Sequence, residues 1–124
     1  MPHLLLVMLG GAIGAALRYL VGLAALRGVG PDYPWGTLIV NLSGGFLMGL
    51  LAGILARGGN VEGLRAFAGV GILGGFTTFS AFSLETANMI ERGQLLGAAG
   101  YSLASLFGAV AMLFLGLFAM RAAA

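Results

Sequence analysis

Gly71-Ile72-Leu73-Gly74-Gly75-Phe76-Thr77-Thr78-Phe79-Ser80-Ala81-Phe82-Ser83-Leu84-Glu85 lies in the middle of an apolar run long enough to cross a bilayer. The hydrocarbon core holds no water, so every polar group placed there needs a partner inside the protein. Paired glycines followed by hydroxyls, spaced phenylalanines and a carboxylate are a poor way to build an inert helix. They suit a broken helix that handles an ion. The pattern predicts a spanning helix broken at Gly74-Gly75, with carbonyls freed at the end of its first half and N–H groups freed at the start of its second. Those ends carry partial charges of roughly −0.5 and +0.5.

Composition sets the surroundings of this segment. The chain has 124 residues, 60% of them hydrophobic and 8% charged, with a mean hydropathy of +1.04. A soluble domain carries about 25% charged residues, so this chain reads as an integral membrane protein, and at this length as a single transmembrane domain over residues 1–124. It has no cysteine, which excludes disulfides, thiolate metal sites and a thiol nucleophile. Six arginines, no lysine and four acids give a formal charge of +2. They form no basic cluster, so nucleic acid is not an expected partner. The first apolar run lacks a basic n-region and is about twice the length of a typical signal core; a retained span is expected there.

Four apolar runs approach the ~20 residues that a spanning helix needs: roughly 4–26, 36–56, 64–90 and 95–120. Gly28, Gly30, Pro31, Asp32 and Pro34 form the first loop, with Tyr33 and Trp35 placed as interfacial aromatics. Small residues recur every four positions: Gly10, Gly14 and Gly22 in line with Arg18, then Gly45, Gly49 and Gly53 in line with Asn41. The fourth run repeats this with Gly100, Ala104, Gly108 and Gly116. Such stripes let helix backbones approach closely in lipid, and the two that carry Arg18 and Asn41 are expected to face protein or water.

With four spans, Arg57, Arg65 and Arg121 fall on one side of the membrane, and Arg27 and Arg92 on the other, with Arg18 nearer the latter. Orientation follows arginine and lysine asymmetry in short loops, and here there is almost none. The chain is therefore expected to insert both ways and to assemble as an antiparallel, dual-topology homodimer surrounded by membrane lipid. A bundle of four helices has too little cross-section to enclose a polar pathway alone.

The polar residues inside the spans are Arg18, Asn41, Ser43, Thr77, Thr78, Ser80, Ser83, Glu85, Asn88, Ser102 and Ser105. Intramembrane polar groups mark function by default, and most of these are uncharged donors. A cation pathway wants stacked carboxylates, whereas only Glu85 lies clearly within a span. A small anion wants amides, hydroxyls and freed backbone N–H groups. Phe76, Phe79 and Phe82 recur at three-residue spacing and are expected along one side of the second half-helix, where electropositive ring edges can touch an anion.

These segments resemble the small fluoride channels of bacteria, the Fluc (CrcB) family. The resemblance rests on Gly-Gly-Ala-Ile-Gly-Ala-Ala-Leu-Arg18-Tyr19, on Pro34-Trp35-Gly36-Thr37-Leu38-Ile39-Val40-Asn41, and on Gly74-Gly75-Phe76-Thr77-Thr78-Phe79-Ser80-Ala81-Phe82, with Tyr101 and Ser105 in span four. It implies an antiparallel homodimer in the bacterial cytoplasmic (inner) membrane, with one fluoride pore on each side of the two-fold axis. Phe79 and Phe82 would be the pore phenylalanines and Asn41 a donor reaching toward the ion. Thr78 and Ser80 would line a polar track, with Glu85 near its end, Tyr101 and Ser105 contributing from span four, and Arg18 at an aqueous vestibule. A structural sodium ion would sit at the helix break on the backbone carbonyls of Gly74 and Thr77 of both subunits. Many relatives have a hydroxyl where this chain has Ala81, so its track would be one donor shorter.

The residues leave other readings. A small proton-coupled multidrug or guanidinium exporter needs a carboxylate deep in the bundle; span one offers only Arg18, and Glu85 lies toward the end of span three. A structural subunit without transport would not call for the hydroxyl and phenylalanine pattern. An enzyme is not expected, because the one histidine, His3, stands at the terminus and no base–nucleophile set can be assembled.

Overall fold

The computed structural model describes residues 2–123. Four helices among them are long and apolar enough to cross a membrane: α1 (Pro2–Val29), α2 (Trp35–Leu55), α3 (Glu62–Glu91) and α4 (Leu95–Ala122). Each ends within a turn of the expected bounds. The extra turn of α1 carries Arg27, where a cation complements the helix dipole. Glycines close the helices sharply. At the end of α3, Gly93 adopts φ +79°, its N–H bonds Ile90 O at 3.0 Å, and that of Gln94 bonds Met89 O at 2.8 Å. This paired arrangement satisfies two terminal carbonyls, and the left-handed residue in it is best a glycine.

Three helices are continuous and the third is not. After one α-turn at Glu62–Leu64 the backbone winds as a π-helix over Arg65–Leu73 and returns to α at Gly74–Phe76. Helical order stops at residues 77–79 and resumes over Ser80–Glu91. The interruption therefore falls three residues after the expected Gly74-Gly75. Gly74 is helical, with φ −63° and ψ −38°, and the chain first leaves the helix at Thr77, whose ψ is 159°. Phe76 accordingly closes the first half, so only Phe79 and Phe82 belong to the second side of the break.

The second glycine of the pair, Gly75, serves packing instead. A Cβ on Gly75 would lie 2.6 Å from Gly11 O and 3.2 Å from Ala15 N, and one on Gly71 would lie 3.0 Å from Gly10 Cα. The first half of α3 thus rests backbone-to-backbone on α1, through the stripe that includes Gly10 and Gly14. The stripe on α2 does the same against α4. A Cβ on Gly45 would lie 2.7 Å from Ala109 O, and one on Gly49 would lie 2.8 Å from Leu117 N. From the other side, a Cβ on Gly116 would lie 2.9 Å from Leu50 N. Gly100 is the exception among the striped positions of α4, with open space where its side chain would be.

The fold is thus two close-packed helix pairs, α1 with the first half of α3 and α2 with α4. The second half of α3 leans on α2 and α4. Large buried side chains are few. The densest cluster is Leu38, Met89, Ala98 and Tyr101, with Tyr33, Leu42 and Phe82 against it, where α2, α3 and α4 meet beside the first loop. Most other apolar side chains are exposed on the outside of the bundle, as expected where the solvent is hydrocarbon.

Candidate functional site

A helix broken inside a membrane leaves backbone groups that lipid cannot satisfy, so their partners define the site. Asn41 supplies two. Its Nδ2 donates to Thr78 O at 3.0 Å, and its Oδ1 accepts from Thr78 N–H at 2.9 Å. A side-chain amide mimics a peptide group here and ties α2 to the break at one residue. The sequence placed Asn41 as a donor toward an ion. In the structure that amide is largely committed to Thr78, and one of its two N–H groups remains.

The carbonyl end of the first half is trimmed by two further side chains. Arg18 Nε donates to Gly75 O at 3.1 Å. Leu73 O accepts from both Thr77 N–H at 3.0 Å and Thr77 Oγ1 at 2.9 Å. Among the described residues, the carbonyls of Gly74 and Thr77 accept no hydrogen bond from the chain. At the other end the Thr78 hydroxyl takes the N–H of Ala81 at 3.1 Å, while those of Phe79, Ser80 and Phe82 meet no acceptor among the described residues.

The hydroxyls divide into two kinds. Those of Ser43, Ser83 and Thr86 donate to carbonyls one turn back, at 2.6, 2.9 and 2.8 Å, and so are spent within their own helices. Thr78 and Ser80 lie 3.4 Å apart, hydroxyl to hydroxyl. Thr78 Oγ1 already accepts from Ala81, so its proton is available to a neighbouring acceptor. Ser105, from α4, is buried, and its hydroxyl has no partner among the described residues. A buried orphan hydroxyl costs about 1–3 kcal/mol, which leaves Ser105 a donor free to serve a ligand at this place.

These residues share one cavity of about 430 Å³ between α2, the break and α4. It is lined by Asn41, Thr77, Thr78, Phe79, Phe82 and Ser105, and continues along Met48, Val110 and Leu113 as an apolar groove. The rings of Phe79 and Phe82 stand 5.5 Å apart at 39°, and Phe79 is 78% exposed. Beyond Phe82 comes Tyr101, 5.1 Å away, fully buried, with its hydroxyl donating to Glu85 Oε1 at 3.1 Å. A second cavity, about 280 Å³, lies on the opposite side of Thr78 between α1 and α2, lined by Arg18, Tyr19, Gly22, Gly36 and Thr37.

Of the residues expected in the pathway, Asn41, Thr78, Phe79, Phe82 and Ser105 therefore meet around one cavity. Ser80 joins them through Thr78, and Tyr101 with Glu85 extends the line past Phe82. Arg18 stands apart, in the second cavity, gripping the carbonyl end. Sequence reasoning missed that Asn41 and Arg18 act as clamps on the break. It placed Tyr33 as an interfacial aromatic and did not foresee that its ring packs on Tyr101.

Comparison with known proteins finds relatives of this sequence. The family model described as CrcB-like protein, Camphor Resistance (CrcB), matches residues 5–117. The chain is 56% identical over 121 residues to a protein of Mesorhizobium japonicum named fluoride-specific ion channel FluC, with 98% of each chain covered. It is 58% identical over 123 residues to a protein of the same name from Phenylobacterium zucineum, covering 98% of this chain and 97% of the relative. A Caulobacter vibrioides protein, again of that name, is 55% identical over 123 residues with the same coverage.

Proposed function

The chain belongs to the CrcB-like family, and from that premise we propose that it is a fluoride-selective passive channel that exports fluoride across the bacterial cytoplasmic membrane. The observation that carries the reading is the surplus of donors beside the phenylalanine pair. The unpaired amides of Phe79, Ser80 and Phe82, the Ser105 hydroxyl and the spare N–H of Asn41 all lack acceptors among the described residues. A small, strongly hydrated anion needs donors to replace its lost water, with none so strong that it is trapped. The substrate is drawn from the relatives, which are named as fluoride channels.

The ion would pass the ring edges of Phe79 and Phe82 and the hydroxyls of Thr78, Ser80 and Ser105. Tyr101 and Glu85 would stand toward one end, and Arg18 would line the vestibule. The exporter alternative finds no support: Glu85, its one candidate carboxylate, already accepts the Tyr101 hydroxyl.

The functional unit in this proposal is an antiparallel homodimer of dual topology. In support, Gly74, Phe79 and Ser80 are exposed on the single chain at membrane depth, beside unpaired backbone groups. Each such group facing lipid would cost several kcal/mol; a second protein surface would remove that cost, and closed two-fold pairing is the commonest arrangement. The Gly74 and Thr77 carbonyls fit a structural sodium ion, being hard oxygen donors with no hydrogen bond to accept. From two subunits they would hold it at the break, where it would supply fixed positive charge in a low-dielectric centre.

Fluoride efflux from loaded proteoliposomes, with chloride as control, tests the channel. Fluoride should leave without a proton gradient; equal chloride flux or strict proton coupling would refute it. Replacing sodium by lithium on both faces should slow efflux, and an unchanged rate would remove the sodium ion from the proposal. Reporters fused at the C-terminus should signal from both sides of the membrane, and a one-sided signal would overturn dual topology.

A further inference from the structure

Tyr33, in the loop between α1 and α2, has no part in the pathway described so far. Its setting is unusually well defined for a loop. Pro34 has φ −79° and ψ 62°, and Trp35 N–H bonds Tyr33 O at 2.8 Å. Those values describe an inverse γ-turn, here with the proline ring fixing the φ of its central residue. The turn wedges the Tyr33 ring between two others. Trp35 lies 4.8 Å away at 48°, and Tyr101 lies 5.6 Å away at 83°, edge to face.

Tyr101 thus packs against two rings, Phe82 at 5.1 Å and Tyr33. Its hydroxyl donates to Glu85 Oε1, with the Thr37 side chain beside it. A ring turns about two side-chain torsions, and polar contacts at its tip do not fix both. Packing of neighbouring rings against its body adds the missing restraint. With Tyr33 absent, Tyr101 can tilt toward the loop and carry its hydroxyl off Glu85.

We propose that Tyr33 is a positioning residue for the anion pathway: the Tyr33-Pro34-Trp35 turn buttresses Tyr101 so that its hydroxyl stays on Glu85 beside Phe82. The proposal rests on the channel reading and adds to it a residue outside the spans. The part of Tyr33 that acts is its ring. Its hydroxyl makes no hydrogen bond among the described residues.

The test measures fluoride efflux from proteoliposomes for the parent, Tyr33→Ala, Tyr33→Phe, Tyr101→Phe and the double variant Tyr33→Ala/Tyr101→Phe. Aromatic pair energies correspond to a loss of about three- to tenfold for Tyr33→Ala, while Tyr33→Phe should stay within about twofold of the parent because the ring remains. Once Tyr101 has lost its hydroxyl there is nothing left to position, so the double variant should be no slower than Tyr101→Phe. Helical circular dichroism and gel filtration report folding, and if Tyr33→Ala does not fold, Tyr33→Leu carries the same comparison. Parent-like flux in the ring-less variant would overturn the inference, as would a Tyr33→Phe as slow as Tyr33→Ala, or additive losses in the double variant. A parent that moves no fluoride would instead overturn the channel reading, and this inference with it.

Discussion

Replacing Asn41 by leucine should unlatch the broken helix as well as remove a polar group from the pathway. Asn41 makes two hydrogen bonds to one residue 37 positions away, at 2.9 and 3.0 Å, both near ideal length. Leucine makes neither and leaves the N–H and C=O of Thr78 unpaired. A fully buried orphan group costs about 1–3 kcal/mol, but Thr78 is only partly buried, so the lower membrane-protein figure of about 0.6 kcal/mol per bond, rising to about 1.7, is the better guide. Two bonds then give a loss of about 1–3 kcal/mol, at least a fivefold shift in the folding equilibrium. Unfolding in mixed micelles can be followed by the one tryptophan, Trp35, whose ring packs on Tyr33. Asn41→Asp separates the two roles. It keeps the acceptor for Thr78 N–H, so it should retain more stability than leucine, while its negative charge should abolish fluoride flux. If Asn41→Leu unfolds within about 0.5 kcal/mol of the parent, as an uninvolved position would, the latch does not exist.

Gly75→Ala should cost at least about 1–3 kcal/mol, because its Cβ would meet backbone atoms of α1 that cannot rotate away. Gly100→Ala, with open space around it, should be neutral or stabilising by up to about 1 kcal/mol; equal effects in the same micelle titration would refute the close approach. Phe82→Ile should leave the fold intact and lower fluoride flux by up to about tenfold, the scale of a ring-specific contact, and full flux would discard its ring edge as a contributor. Ala81→Ser restores a hydroxyl one residue from Ser80 and should raise flux by about twofold to tenfold, the worth of one hydrogen bond. Unchanged flux would show that the track does not run past position 81.

The sequence made the architecture legible because lipid imposes two simple demands: long apolar runs and satisfied backbones. Span limits, small-residue stripes and an interrupted third helix follow from those. The position of the break did not, and the reason is physical. Glycine marks both a flexible backbone and a close approach, and the sequence does not say which. Gly75 belongs to the second case, pressed on Gly11 and Ala15, while Gly74 stays helical and exposed. The true break lies where side chains from elsewhere replace the helical bonds, at Thr78 opposite Asn41. Such partners are distant in the chain and invisible to spacing. The π-helical winding of Arg65–Leu73 was equally hidden, since it changes which carbonyl each amide meets without changing composition. Asn41, Phe79, Phe82, Thr78 and Ser105 were all readable as polar or aromatic residues out of place in lipid. Their meeting around one cavity needed the fold.

The break is satisfied selectively, and the selection carries chemical information. If clamping served only to lower the cost of an interrupted helix, every freed group would be expected to find a partner, because each one left in hydrocarbon is costly. Instead Arg18 takes Gly75 O and Asn41 takes both groups of Thr78, while the carbonyls of Gly74, Phe76 and Thr77 are passed over among the described residues. At the amide end the Thr78 hydroxyl takes Ala81 N–H and leaves its neighbours at Phe79, Ser80 and Phe82 unpaired. The paired groups fix the shape; the unpaired ones fall into a set of acceptors on one side and a set of donors on the other. Acceptors without donors suit a small cation, and donors without acceptors suit a small anion. A single interruption held in this way can therefore present sites of opposite sign only a few residues apart, with no carboxylate or lysine at either. That economy explains how a chain with so few charged residues could serve ions at all.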